Sequence, residues 1–211
     1  MNSGFWKFSQ WKDVPIYFHW SVLLWLPWYL IQNSSKNLFW IIPTFFSFAT
    51  ILLVHELGHA IAAKYTGAKV YAIKLFVIHG ECELETPYYE RDYILIAWAG
   101  VIAQLCLFVV AVVFNYLLSR FLPILVFQLA PVFNVVIGIN FMLMITNLIP
   151  VKPLDGYIAW RIIPFTYRKI RSYKFNTLLK FRNPFISRKK SKINAEDADK
   201  IAKDLFDRFK K

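Results

Sequence analysis

The chain has 211 residues, of which 57% are hydrophobic and 18% are charged, and its mean hydropathy is +0.42. Soluble domains are about 25% charged, so the composition argues against an ordinary soluble globule and against a disordered chain. The formal net charge of +12 is concentrated at one end, because residues 161–211 hold 16 of the 25 Lys and Arg residues but 5 of the 13 Asp and Glu residues. An apolar body with a basic tail indicates a membrane protein whose tail faces an anionic cytoplasmic leaflet rather than nucleic acid.

Four stretches are apolar for long enough to cross a bilayer, which takes about 20 residues. They are residues 14–35, 37–63, 93–119 and 121–151, and Glu56 is the one charged side chain inside them. Basic residues lie mainly before the first stretch, between the second and third, and after the fourth. The positive-inside rule therefore predicts a multi-pass protein of the cell membrane with both termini in the cytoplasm.

The segment between the second and third stretches predicts a β-hairpin. Residues 70–78 are rich in β-formers, His79-Gly80 favours a turn, and residues 81–85 alternate as a second strand does; an irregular loop is the alternative. The expected fold is an all-α polytopic membrane protein of about four transmembrane helices with this small membrane-associated hairpin. Residues 1–170 form the expected core, and residues 171–211 a basic cytoplasmic tail with a short amphipathic helix from Asn194.

The strongest chemical signal is His55-Glu56-Leu57-Gly58-His59, inside the second stretch. Residues i and i+4 share a helix face, so both imidazoles can bind one Zn²⁺, and Glu56 can take a proton from water at the metal. Ionisable side chains within a span are costly and mark functional sites by default. The alternative is a pair of buried histidines that are hydrogen-bonded to a stray carboxylate.

Two histidines do not complete a catalytic zinc site, which usually has three protein ligands. Asp155 is the only acidic residue between Asp92 and Glu196, and it follows the fourth stretch. Because the second and fourth stretches run in the same direction, the two histidines and Asp155 are predicted at the same cytoplasmic depth. The alternative for Asp155 is a helix N-cap.

With the segment Asn147-Leu148-Ile149-Pro150-Val151-Lys152-Pro153-Leu154-Asp155-Gly156, the HExxH motif resembles the site-2 protease family of intramembrane zinc metalloproteases. The same family is similar in three further places: the entry to the first stretch at residues 15–21, the hairpin at Gly80 and Glu83 to Glu85, and the segment at residues 96–100. The resemblance covers roughly residues 13–160. In the middle helix the family often has Gly-Pro-x-x-Asn, whereas this chain has Gly100-Val101-Ile102-Ala103-Gln104.

The resemblance implies a zinc site with one Zn²⁺ per chain and a small set of residues near the substrate. The implied ligands are His55, His59 and Asp155, the implied catalytic glutamate is Glu56, and the implied substrate-binding residues are Asn147, Pro153 and Gln104. Structural or solvent roles are expected for His19 and His79. Cys82 and Cys106 lack a CxxC spacing and are expected to be ordinary thiols.

The predicted function is therefore an intramembrane zinc metalloendopeptidase that hydrolyses peptide bonds of single-span membrane proteins near the cytoplasmic side of the membrane. A catalytically silent membrane adaptor of the same fold and a zinc-dependent membrane transporter are the alternatives. The absence of repeated halves disfavours the transporter. The intact set of ligands with Glu56 disfavours the adaptor.

Overall fold

The structure is a computed structural model that describes residues 4–32, 38–182, 200 and 203. It is mostly helical with one small four-stranded sheet. The strands are β1 (Phe5–Trp11), β2 (Val14–His19), β3 (Val70–Leu75) and β4 (Gly80–Leu84). The helices are α1 (Trp25–Gln32), α2 (Ile41–Thr66), α3 (Glu90–Phe121), α4 (Pro123–Phe133), α5 (Asn140–Asn147), α6 (Gly156–Ala159) and α7 (Ile162–Arg182).

The predicted hairpin is confirmed, and it belongs to a larger sheet. The strand order is β1-β2-β3-β4, with antiparallel pairs at both edges and a parallel pair, β2 and β3, in the centre. Ile73 and Leu75 in β3 are fully buried and pack in one apolar core with Ile51 and Leu52 of α2. The sheet therefore lies against α2, and β4 forms one of its two edges.

The first predicted span has a different form from the single helix that was expected. Residues 14–19 are strand β2, residues 20–24 are a 3₁₀ turn, and α1 has eight residues, too few to cross a bilayer. Residues before and within this segment nevertheless contact α2. The Lys64 ammonium lies 4.9 Å from the Trp11 ring centre, and Trp25 stacks on Phe48 at 4.3 Å. An apolar run with a buried strand at its start cannot be distinguished from a helix by periodicity alone.

Among the described residues, three helical segments are long and apolar enough to cross a membrane: Ile41–Thr66, Glu90–Phe121 and Pro123–Asn147. The third joins α4 to α5 through a π-helical segment, Asn134–Ile139. Helices α2 and α3 pack very closely at Gly58, where an added Cβ atom would lie 2.5 Å from the carbonyl oxygen of Ala99. This close approach brings the middle of α3 to the histidines of α2.

The chain divides into two units, Met1–Ile162 and residues 163–211. The described side chains of α7 up to Tyr173 are exposed or half-buried, and the helix sequence has six Lys or Arg residues and no acidic residue. The predicted boundary at residue 170 stays a prediction. The short helix expected from Asn194 falls almost wholly outside the described residues.

Candidate metal centre

Helix α2 places His55 and His59 on one face, one turn apart, as the HExxH spacing predicts. Both residues are 6% exposed, and the Nε2 atoms of the two rings lie 3.0 Å apart. Two uncharged imidazole nitrogens that point lone pairs at each other repel. The arrangement therefore requires either a proton or a cation between the rings.

Asp155 reaches this point from the loop that follows α5. The loop is folded back on itself, because the Trp160 indole donates to the carbonyl of Leu148 at 2.7 Å and the Trp98 indole of α3 donates to the carbonyl of Ala159 at 2.9 Å. Gly156 fits under the loop, since an added Cβ atom would lie 2.4 Å from the carbonyl of Leu148. These contacts hold Asp155 directly beside the two histidines.

The three predicted ligands converge on one point. The Oδ2 atom of Asp155 lies 2.8 Å from Nε2 of His55 and 3.2 Å from Nε2 of His59. Tetrahedral zinc with bonds of about 2.0–2.1 Å holds its ligand atoms about 3.3 Å apart. Two imidazoles and a carboxylate at these separations fit a zinc ion, with a fourth coordination position free for water or substrate.

The other ring nitrogens are fixed by acceptors. Nδ1 of His59 lies 2.7 Å from the carbonyl oxygen of Ile96, and Nδ1 of His55 lies 3.0 Å from Oε1 of Gln104. An oxygen that accepts a hydrogen bond requires the proton on Nδ1, which leaves Nε2 with its lone pair directed at the centre. These acceptors favour, for both histidines, the tautomer that a metal ligand needs.

Asp155 has the charge state that a ligand needs. Burial raises the pKa of its carboxyl group, but the proximity of the His55 and His59 imidazoles outweighs that effect and holds the pKa well below its usual range. The side chain is therefore an anion at neutral pH. The structure gives no support to the helix N-cap alternative, because Asp155 makes no side-chain capping bond to α6.

Glu56 lies beside the histidines and is 4% exposed. Its carboxylate packs against Gly80 at the start of β4, where an added Cβ atom would lie 2.3 Å from Oε1. Gly100 packs just as closely against the histidines, since its added Cβ atom would lie 2.5 Å from Nε2 of His59. The sequence analysis assigned no site role to Gly80 or Gly100. The one indication of such a role was that both lie in segments that resemble the site-2 protease family.

The three predicted substrate-binding residues lie in different environments. The Asn147 amide nitrogen is 3.5 Å from Nε2 of His55, at the edge of the centre. Pro153 is exposed in the loop before Asp155. Gln104 is completely buried behind His55 and bonds to the ring nitrogen that faces away from the centre.

The remaining histidines and cysteines lie outside the ligand cluster. Among the described residues, His55, His59 and Asp155 are the one group of three such side chains close enough to hold a metal ion. His19 bonds to Ser21 at 2.8 Å, and His79 stacks on Phe76 at 4.7 Å. Burial raises the pKa of the Cys82 thiol to about 12, so this thiol is neutral at physiological pH and does not act as a thiolate ligand.

The comparisons with known proteins agree with this geometry. Over 163 residues the chain is 30% identical to a zinc metalloprotease of Methanocaldococcus jannaschii. The match covers 76% of this chain and 46% of the relative. The chain therefore spans about half the length of the curated relative it matches. No sequence model of a protein family matches the chain. The structure superposes on the site-2 protease from Methanocaldococcus jannaschii with a TM-score of 0.58 at 22% identity, over 75% of this chain and 71% of that one.

At that identity the structural likeness establishes the shared fold, and the curated relative is a zinc metalloprotease by name. Together they confirm the relation that was predicted from the HExxH motif and the segment around Asp155. They also agree with zinc as the metal that suits the ligand cluster.

Proposed function

We propose that this chain, a relative of the site-2 proteases in sequence and fold, is an intramembrane zinc metalloendopeptidase that binds one zinc ion. The observation that carries the proposal is the convergence of two imidazoles and one carboxylate within 3.2 Å of one another, beside the buried carboxylate of Glu56. The group lies among helices that are apolar enough to cross a membrane. The substrate class that suits this setting is a membrane protein whose single helix enters the bilayer.

Each residue of the centre has a separate role in peptide hydrolysis. His55, His59 and Asp155 would hold the zinc ion, which would supply Lewis acidity for peptide hydrolysis. Glu56 would act as the base that takes a proton from the attacking water and then passes it to the leaving nitrogen. The Asn147 amide lies beside His55 at the edge of the centre, where it can donate to an oxygen of the substrate.

An edge strand next to the centre provides a place for the substrate backbone. A helical substrate hides its carbonyls in i→i−4 bonds, so the segment to be cleaved must first become extended. Strand β4 begins at Gly80, against Glu56, and its outer edge has no partner strand among the described residues. An unwound substrate segment that pairs with β4 would pass directly in front of Glu56.

The topology that we propose has four crossings and both termini in the cytoplasm. Trp11 contacts Lys64 near the C-terminal end of α2, and Trp25 of α1 stacks on Phe48 in the N-terminal half of α2, which supports a first crossing made of a strand and short helices. Backbone at membrane depth needs internal partners, and β2 has them in β1 and β3. The basic helix α7 would then face the anionic cytoplasmic leaflet.

Accessibility of single cysteines at the two ends of α3 tests this orientation. In a chain without Cys82 and Cys106, Tyr88→Cys is expected to react with a membrane-impermeant thiol reagent from the cytoplasmic side only. Leu122→Cys is expected to react from the outside only, since α3 is 32 residues long and both positions are well exposed. Labelling of Tyr88→Cys from the outside would reverse the proposed orientation.

Removal of the metal tests the proposed reaction. Purified protein in detergent or vesicles is incubated with a single-span substrate, and cleavage is followed by mass spectrometry of the products. Cleavage is expected to stop when a chelator removes zinc and to return when zinc is restored. A zinc-loaded chain that cleaves none of a panel of single-span proteins would favour the silent adaptor, and zinc flux into vesicles would favour the transporter.

A further inference from the structure

The two histidine ligands are oriented by acceptors of different kinds. His59 bonds to a backbone carbonyl, that of Ile96, which helix α3 holds in place. His55 bonds to the side chain of Gln104, 49 residues further along the chain. A side-chain amide can rotate and can be replaced, so the orientation of His55 depends on Gln104 in a way that the orientation of His59 does not.

Gln104 is enclosed and anchored. Its side chain is 0% exposed, and it lies on the far side of the His55 ring from the convergence point of the ligands. Its backbone carbonyl accepts a bond of 3.1 Å from the amide of Asn140, which is also 0% exposed. The contact joins α3 to α5 at the turn that carries Gln104, which anchors the backbone there, and the side chain stays buried against His55.

The orientation of the Gln104 amide selects the tautomer of His55. When Oε1 faces the ring, Nδ1 carries the proton and Nε2 is free to bind a metal. When Nε2 of Gln104 faces the ring, the proton must move to Nε2 of His55, where it blocks the metal. The structure has Oε1 toward His55, although this leaves Nε2 of Gln104 buried without a hydrogen-bond partner among the described residues. With Oε1 of Gln104 as the acceptor, the proton lies on Nδ1 of His55 and Nε2 of the ring is available to a metal ion.

We infer that Gln104 is a positioning residue that holds His55 in the orientation and tautomer required for metal binding. This inference rests on the proposed function, because it concerns the same metal centre. It replaces the substrate-binding role that the sequence suggested for Gln104 with a role behind the ligand. Partners of this kind typically change metal affinity by 10–100-fold.

Zinc affinity of three variants of the full chain in detergent, measured by competition with a chelator, tests the inference. Gln104→Met has nearly the same length and no acceptor oxygen, and it is expected to bind zinc about 10–100-fold more weakly. Gln104→Glu keeps the acceptor and offers no competing N–H donor, so it is expected to bind zinc at least as tightly as the wild type. The matched control is Asn115→Leu, which removes another amide with a buried atom from α3, eleven residues from Gln104.

The metal-free melting temperatures distinguish positioning from packing. The Gln104→Met chain is expected to melt within a few degrees of the wild type without metal, while its zinc affinity falls. If Gln104→Met binds zinc as tightly as the wild type, or if Gln104→Glu is weakened as much as Gln104→Met, Gln104 does not position His55 and the inference is overturned while the proposed function stands. A wild-type chain that binds no zinc would overturn both.

Discussion

Asp155→Ala is expected to abolish most zinc binding. Asp155 supplies the only carboxylate of the cluster, and its Oδ2 atom lies within 3.2 Å of both histidine Nε2 atoms. Two neutral imidazoles alone leave the charge of the ion uncompensated among apolar helices, where that charge is costly. We therefore expect a loss of affinity greater than the 10–100-fold that follows from losing a residue that merely orients a ligand.

Metal analysis of the purified chain by mass spectrometry, together with chelator competition, measures this effect. Val151→Ala is the matched control, because Val151 lies in the same loop and is 56% exposed. The control should retain one zinc per chain, which shows that the loop tolerates truncation. Undiminished zinc in Asp155→Ala would remove Asp155 from the ligand set and leave the third ligand unknown.

The convergence of His55, His59 and Asp155 was predictable because their geometry is local or follows from topology. The spacing of His55 and His59 fixes both on one face of α2, whatever the rest of the fold does. Asp155 was found because it is the one acidic residue in a long uncharged region and because the direction of the spans placed it at the depth of the histidines. Neither argument needed a side-chain contact.

The contact of Gln104 with His55 was not predictable, for a physical reason. Its contact with His55 joins residues 49 positions apart and depends on how closely α2 and α3 approach each other. That approach is set by Gly58, where the backbone of α3 at Ala99 lies within the volume of a Cβ atom. The sequence shows the glycine, but it does not show which side chain of α3 the close packing brings to the metal ligand.

The first two strands were missed for a different reason. Strand β2 is partly buried and is followed by mostly apolar residues, and residues 14–35 contain no Lys, Arg, Asp or Glu. Such a run has the length of a transmembrane helix, and its composition carries no signal for a strand. What makes residues 14–19 a strand is the parallel pairing of β2 with β3. That pairing is a contact between residues 16–18 and 73–75, which are far apart in the sequence.

Glu56→Gln is expected to separate metal binding from catalysis. Glu56 is buried beside the histidines, but it is not among the three side chains that converge, so the zinc content should remain at the wild-type level. Glutamine keeps the shape of the side chain against Gly80 and removes the proton acceptor. Cleavage of a single-span substrate should fall by a factor on the order of 10² or more, which is the usual contribution of a positioned acid–base group.

Because the centre stays assembled in Glu56→Gln, this variant should also hold uncleaved substrate long enough for the complex to be isolated. The exposed carboxylate of Glu85, just beyond β4, provides the matched control, and Glu85→Gln should cleave at the wild-type rate. Zinc content, substrate retention and cleavage rate are measured on the same preparations, so that loss of folding is not mistaken for loss of chemistry. Cleavage by Glu56→Gln at nearly the wild-type rate would mean that another group takes the proton, and the mechanism proposed for Glu56 would be wrong even though the zinc ligands are correct.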